Sequence, residues 1–272
     1  MIRTLFKHEF LRTRGLIAGI FGIDVLLALV GFAMAVSRLP LLSTVGAMSL
    51  LTAAMVLTPA VIFGLGYEHW RSSLTGRGYL THSLPVRGST QALVKLGHAY
   101  LWTVLAVIVS LLLGLLVMVA RAVEVGAPMG ALADELRMGL SYYRQQLPGW
   151  MPLVFALLVM LTLLGYLAQI WFAAAVGSEG RMAGTGWGPV VAYIVLYLAV
   201  QLVMMVCIFA VPVVVHLGGP QHLEVHTANV LRLVQNQSES MLPLGIVVVR
   251  ALMPFPLMWR MARSWDRKVS LA

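Results

Sequence analysis

The sequence predicts an all-α, polytopic membrane protein with six transmembrane helices, and three observations carry that prediction. First, the 272-residue chain is 60% apolar and only 11% charged, with a mean hydropathy of +0.89, so a soluble fold could not keep its apolar surface from water. Second, continuous apolar stretches of bilayer-crossing length recur at 15–36, 44–67, 98–120, 151–176, 189–215 and 241–259. Third, the charges are distributed unevenly among the segments between those stretches. Runs of this length satisfy their own backbone groups as helices, whereas barrel strands would be about ten residues long and alternating. The whole chain, 1–272, reads as one transmembrane domain.

The charge distribution sets a direction. Of the nineteen Lys and Arg residues, thirteen fall on the segments that share a side with the N-terminus, while Arg38, Arg121, Arg137, Arg144 and Arg232 fall on the other, where five acidic residues balance them. The positive-inside rule therefore places both termini in the cytoplasm, and it accounts for the formal charge of +9 without nucleic acid. Membrane lipids are the partner that this basicity implies. Cys207 lies in an apolar run and is the chain's single cysteine, so no internal disulfide is possible.

Taken in order, the elements are these. Ile2, Leu5, Phe6 and Phe10 share a helical face from which Arg3, Lys7 and Arg14 point away, which predicts an amphipathic elbow helix lying on the inner leaflet before the chain turns inward. The first span has no Ala-x-Ala cleavage pattern after it and is expected to stay in the membrane. Gly15 and Gly19 form a G-x-x-x-G at its start, consistent with close helix approach. Asp24, near the middle of this span, and Arg250, near the middle of the sixth, are each costly alone in hydrocarbon; their matched depths suggest an intramembrane charge pair.

Pro59, Pro212, Pro243, Pro254 and Pro256 interrupt spans two, five and six and predict kinks. In the outer loop 121–150, Leu132, Leu136, Leu140, Tyr143 and Leu147 recur at helical spacing. In the outer loop 216–240, Leu223, Val230, Leu231 and Val234 do so less cleanly. That loop also contains "HLEVH", which lacks the one-turn spacing of a H-E-x-x-H zinc site; no metal site is predicted. Trp150, Trp187 and Trp259 sit near span ends, where indole rings favour the headgroup zone.

The longest cytoplasmic loop, 68–97, carries the functional signal. Pro85 fixes its own φ and biases Leu84 away from the α region, while Gly88 and Ser89 offer a break and an N-cap for a helix that starts near Thr90. A short rigid segment attached without slack to two transmembrane helices would transmit force to both.

The stretch "GYEHWRSSLTGRGYLTHSLPVRGSTQALVKLGHAYLW" resembles the first cytoplasmic loop of ATP-binding-cassette (ABC) transporter permeases of the type-2 exporter class, in which a Leu-Pro-Val-(Ser or Arg) step and a downstream Lys precede span three. The elbow, the six spans and the basic tail "RMARSWDRKVSLA" extend the resemblance along the chain. It implies that this loop contains a coupling helix that docks on a separate ATPase subunit, with Glu68, Arg71, Leu84, Pro85, Val86 and Arg87 as the coupling positions. The chain has "VRGS" where many relatives have Ser directly after Val.

Because no G-x-x-x-x-G-K-[ST] is present, the chain has no P-loop and is not expected to be an enzyme itself; ATP and Mg would be bound by the partner. The resemblance further implies two ATPase copies and a second permease, as a homodimer or heterodimer, in a bacterial cytoplasmic membrane. The cargo would be hydrophobic or amphipathic: a drug, a lipid or a lipophilic peptide. An ion-gradient-driven secondary transporter and a non-transporting scaffold or sensor subunit are the alternative readings.

Overall fold

The structure, a computed structural model, describes residues 2–37, 39–75, 78, 86–146, 148–179, 186–210, 213–216, 224–227 and 241–267. Eight helices account for most of these: α1 (Ile2–Ala35), α2 (Pro40–Ser73), α3 (Gly88–Glu124), α4 (Met129–Gln146), α5 (Met151–Gly177), α6 (Trp187–Ala210), α7 (Leu244–Leu252) and α8 (Pro254–Arg267). Six helical stretches, with α7 and α8 together as the sixth, are long and apolar enough to cross a membrane. The outward faces are as apolar as lipid requires: Leu41 is 80% exposed, Leu153 76% and Ile23 71%.

The chain divides into two compact units, one of residues 1–71 and 90–138, the other of residues 72–89 and 139–272. In the first, α1 packs on α2 through small residues. Ala28, Ala35, Ala47, Leu50, Ala53 and Ala120 form a buried core, against which Phe32, Leu113, Leu116 and Val117 pack. The backbones come close at Gly31 and Gly46: a Cβ on Gly46 would lie 2.6 Å from the Gly31 carbonyl oxygen, and one on Gly31 would lie 3.0 Å from the Leu50 nitrogen. Small residues permit this approach, which dispersion forces reward in lipid, where burial of apolar surface gives no gain. The G-x-x-x-G at Gly15 and Gly19 is not the contact, because a Cβ at either would meet nothing within 4 Å.

Several hydroxyl groups inside these helices are satisfied locally. The hydroxyls of Thr13, Ser49, Thr52 and Thr103 each donate to the carbonyl four residues earlier, at 2.8–2.9 Å. Thr58 and Ser110 join α2 to α3 at 3.3 Å. Ser43 donates to the Glu124 carboxylate, which also holds Arg121 at 2.8 Å.

In the second unit α5 packs against α6 and α8, and α7 contacts α5 and α6. Leu167, Ala168, Trp171 and Ala175 on α5 and Met261 and Trp265 on α8 are buried. Near the end of α5, a Cβ on Gly177 would lie 2.5 Å from the Gly188 carbonyl oxygen at the start of α6. A small antiparallel sheet, ordered β2-β1-β3, joins β1 (Val213–His216), β2 (Glu224–Thr227) and β3 (Met241–Pro243). Val213 pairs with Thr227, His216 with Glu224 and Val214 with Pro243.

Several expectations change. The N-terminal amphipathic stretch is not a separate elbow: α1 runs unbroken for 34 residues, about 51 Å at 1.5 Å per residue, well beyond the roughly 30 Å hydrocarbon core. The fifth span ends at Ala210, and Val213–His216 is extended. In the outer loop 216–240 a strand covers Glu224–Thr227, while Leu223, Val230, Leu231 and Val234 lie outside the described residues. Pro59 sits inside α2 without ending it. Pro254 does break its span, because it biases Met253 out of the α region and separates α7 from α8. The helix expected in the loop 121–150 is present as α4.

Candidate functional site

The loop between α2 and α3 is carried by helices that extend beyond their apolar runs. α2 continues past its apolar run to Ser73, and α3 begins at Gly88, ten residues before its own apolar run. Their protruding turns, with those of α1, carry the charges that the apolar runs exclude.

In the first unit these turns form a linked ion cluster. The Arg12 guanidinium donates to Glu9 at 2.5 Å and lies 3.7 Å from Glu68 on α2. The other oxygen of Glu9 lies 3.3 Å from the Lys95 ammonium on α3. Lys95 is only 5% exposed, and His69 and His98 are buried beside it. A buried ammonium is costly without a close carboxylate, so Glu9 is central: it pairs with both Lys95 and Arg12, and Glu68 supplies Arg12 with a second negative charge. Aromatic rings wall the cluster. Phe6 meets the His98 ring edge-on at 5.2 Å, and Phe10 stacks on Trp102 at 5.9 Å. The Trp102 indole donates to His98 Nε2 at 3.1 Å.

In the second unit, the end of the loop is fastened to α8. The Ser89 backbone N–H donates to Asp266 Oδ1 at 2.8 Å, so a carboxylate distant in sequence occupies the positive end of α3. Gly88 lies against α8 so closely that a Cβ would come within 2.7 Å of the Trp265 carbonyl oxygen. One turn back on α8, Arg260 grips both oxygens of Glu179 at 3.2 Å, and Ser264 donates to the same carboxylate at 2.5 Å.

Of the six coupling positions read from the sequence, Glu68 joins the ion cluster, Arg71 is exposed in the last turn of α2, Val86 is half-buried and Arg87 is exposed just before α3. Leu84 and Pro85 lie outside the described residues. The helix expected near Thr90 starts two residues earlier, at Gly88, and a side chain of α8 supplies its cap. Sequence reasoning did not single out Glu9, Arg12, Glu179 or Asp266 for these roles. The available signal was the register of Glu9 and Arg12, three residues apart on one face of α1.

The intramembrane charges divide between the units. Asp24, in the first, is buried, and its Oδ2 has no hydrogen-bond partner among the described residues. Arg250, in the second, donates to the Tyr166 hydroxyl at 3.3 Å, and its guanidinium carbon sits 4.9 Å from the centre of the Tyr166 ring. A cation over an aromatic face is a workable arrangement for a charge in apolar surroundings. The Asp24–Arg250 pair stays an expectation. No family model, curated protein or solved structure matches the chain.

Proposed function

We propose that the chain is the membrane-spanning permease subunit of an ABC exporter of the type-2 class, moving a hydrophobic or amphipathic cargo with energy from ATP hydrolysed by separate ATPase subunits. The sequence of the loop between α2 and α3 suggests the family. The observation that carries the mechanism is the fastening of that loop's end: Gly88 and Ser89 are seated on Trp265 and Asp266 of α8, while the loop continues directly into helices of 34 and 37 residues. A push on residues 72–89 would reach α2 and α3 through the chain and α8 through contact. This is the role of a coupling element.

In this reading both termini and the loop are cytoplasmic, the first turns of α1 take the elbow's place, and residues near Pro85 meet the ATPase. Two permeases and two ATPases assemble, with ATP and Mg held by the ATPases and no chemical step in this chain. A bacterial cytoplasmic membrane is the expected setting.

The test is reconstitution of the chain with candidate ATPases in vesicles. ATP should drive cargo movement, and Pro85→Gly or Arg87→Glu should lower it at least tenfold while insertion, followed by protease protection, is unchanged. Transport by the lone chain under an ion gradient, or stable ATPase binding without transport, would overturn the proposal.

A further inference from the structure

A second feature of the same end of α1 is independent of the ABC reading. A groove of about 800 Å³ is lined, among the described residues, by Ile2, Arg3, Thr4, Phe6, Lys7 and Phe10. Its floor is apolar, and Ile2 is 62% exposed and Phe10 44%. Its cations are Arg3 and Lys7, and neither has an ion-pair partner among the described residues. The acidic groups nearby are already engaged: Glu9 with Arg12 and Lys95, and Glu68 with Arg12. An anion that answers Arg3 and Lys7 must therefore come from outside the cluster.

The depth of the groove identifies the kind of anion. Phe10 stacks on Trp102 and Phe6 contacts His98, which places the groove where the apolar run of α3 begins, the level that indole rings favour at a membrane surface. Lys7 lies three residues from Phe10 and Arg3 seven, roughly 4.5 and 10 Å along the helix. The headgroup layer of a leaflet is roughly 5–7 Å thick, and the side chains of Lys and Arg reach several further ångströms. Arg3 and Lys7 flank the outer part of the trough and Phe10 forms its membrane end, an arrangement that matches an amphipathic anion.

We propose that this groove holds one anionic phospholipid, its phosphate between Arg3 and Lys7 and its acyl chains running past Phe6 and Phe10 into the bilayer. Basic side chains near a membrane surface attract acidic lipids generally; this groove would seat a single molecule.

Native mass spectrometry of the full chain, released from micelles doped with 1-palmitoyl-2-oleoyl phosphatidylglycerol or its phosphatidylcholine counterpart, provides the test. The wild-type chain should retain phosphatidylglycerol preferentially. Arg3→Gln with Lys7→Gln should weaken that retention by roughly 30-fold, whereas Arg137→Gln with Arg144→Gln on α4 should leave it unchanged. Equal losses from both charge pairs would reduce the effect to net charge and overturn the proposal. So would full retention by the Arg3/Lys7 variant, since phosphatidylglycerol would then be held elsewhere.

Discussion

At one end of the α1–α2–α3 bundle, Gly31, Ala35, Gly46 and Ala47 bring two backbones together; at the other, Glu9, Arg12, Glu68 and Lys95 hold the same helices by charge. The contrast is between a contact that has one geometry and a contact that has several. Interlocked backbones separate only by giving up close-packed contacts that mobile lipid chains replace incompletely. Ion pairs at a membrane surface can exchange partners, since each carboxylate accepts more than one donor and water is close. Under the proposed function both would be needed, a fixed crossing about which helices tilt and an end that can be regripped. The distribution of Gly and charge along α1 supplies them in one helix.

The largest effect should come from adding bulk at the fixed end. Gly46→Ala would set a methyl group 2.6 Å from the Gly31 carbonyl oxygen; the neighbouring atoms are backbone, so the helices must part, at a cost of about 3 kcal/mol. Gly31→Ala meets its neighbours at 3.0–3.2 Å and should cost about 1 kcal/mol, since overpacking penalties grow with overlap. Gly19→Ala, in open space, should be neutral or gain up to about 1 kcal/mol in helix propensity. Thermal unfolding in detergent should rank the three in that order. If Gly19→Ala were the most damaging, the crossing would lie at the G-x-x-x-G after all.

A smaller and asymmetric effect is expected at the charged end. Glu9→Gln removes the carboxylate closest to the buried Lys95 ammonium and takes a partner from Arg12, which should destabilise the chain by about 2–3 kcal/mol. Lys95→Met removes the buried charge itself and leaves Glu9 with Arg12, so it should cost less than about 1 kcal/mol. The double variant should resemble Lys95→Met. This non-additivity is the signature of a pair, and a double-mutant cycle measures it. Equal costs for the two single variants, with simple addition in the double, would mean that Lys95 is held by something other than Glu9.

The six spans were legible because length and apolarity are properties of one segment at a time. So was α4, whose leucines repeat every three or four residues, and so was the break at Pro254, which acts on its own neighbours. The close crossing was not legible. Gly15 and Gly19 have the spacing of a packing motif, yet the contact uses Gly31 and Gly46, and only the register of α1 against α2 decides which glycines meet. The elbow misled for a related reason: an apolar stripe through Ile2, Phe6 and Phe10 fits a surface helix as well as an extension of α1 packed on His98 and Trp102. Likewise a short apolar run such as Val213–His216 does not distinguish helix from strand by periodicity. Within the candidate site, Glu68 and the start of α3 were readable; its partners Glu9, Arg12 and Asp266 were not, since each belongs to another helix.

The smallest effect should be at Asp266, and it tests whether the loop's attachment to α8 is a contact of the fixed or the exchangeable kind. The Oδ1 atom accepts the Ser89 N–H at 2.8 Å, so the carboxylate acts as both a hydrogen-bond acceptor and a negative charge at the start of α3. Asp266→Asn keeps the acceptor and removes the charge, for about 0.5 kcal/mol. Asp266→Ala removes both, for about 1 kcal/mol. Gly88, close against Trp265, holds the same junction by shape, so Gly88→Ala should exceed either. If the junction is regripped during transport, Asp266→Ala should lower ATP-driven cargo movement far more than its stability cost explains, with hydrolysis by the ATPase continuing. If transport falls only in proportion to the folded fraction, the Asp266 contact merely caps α3 and carries no motion.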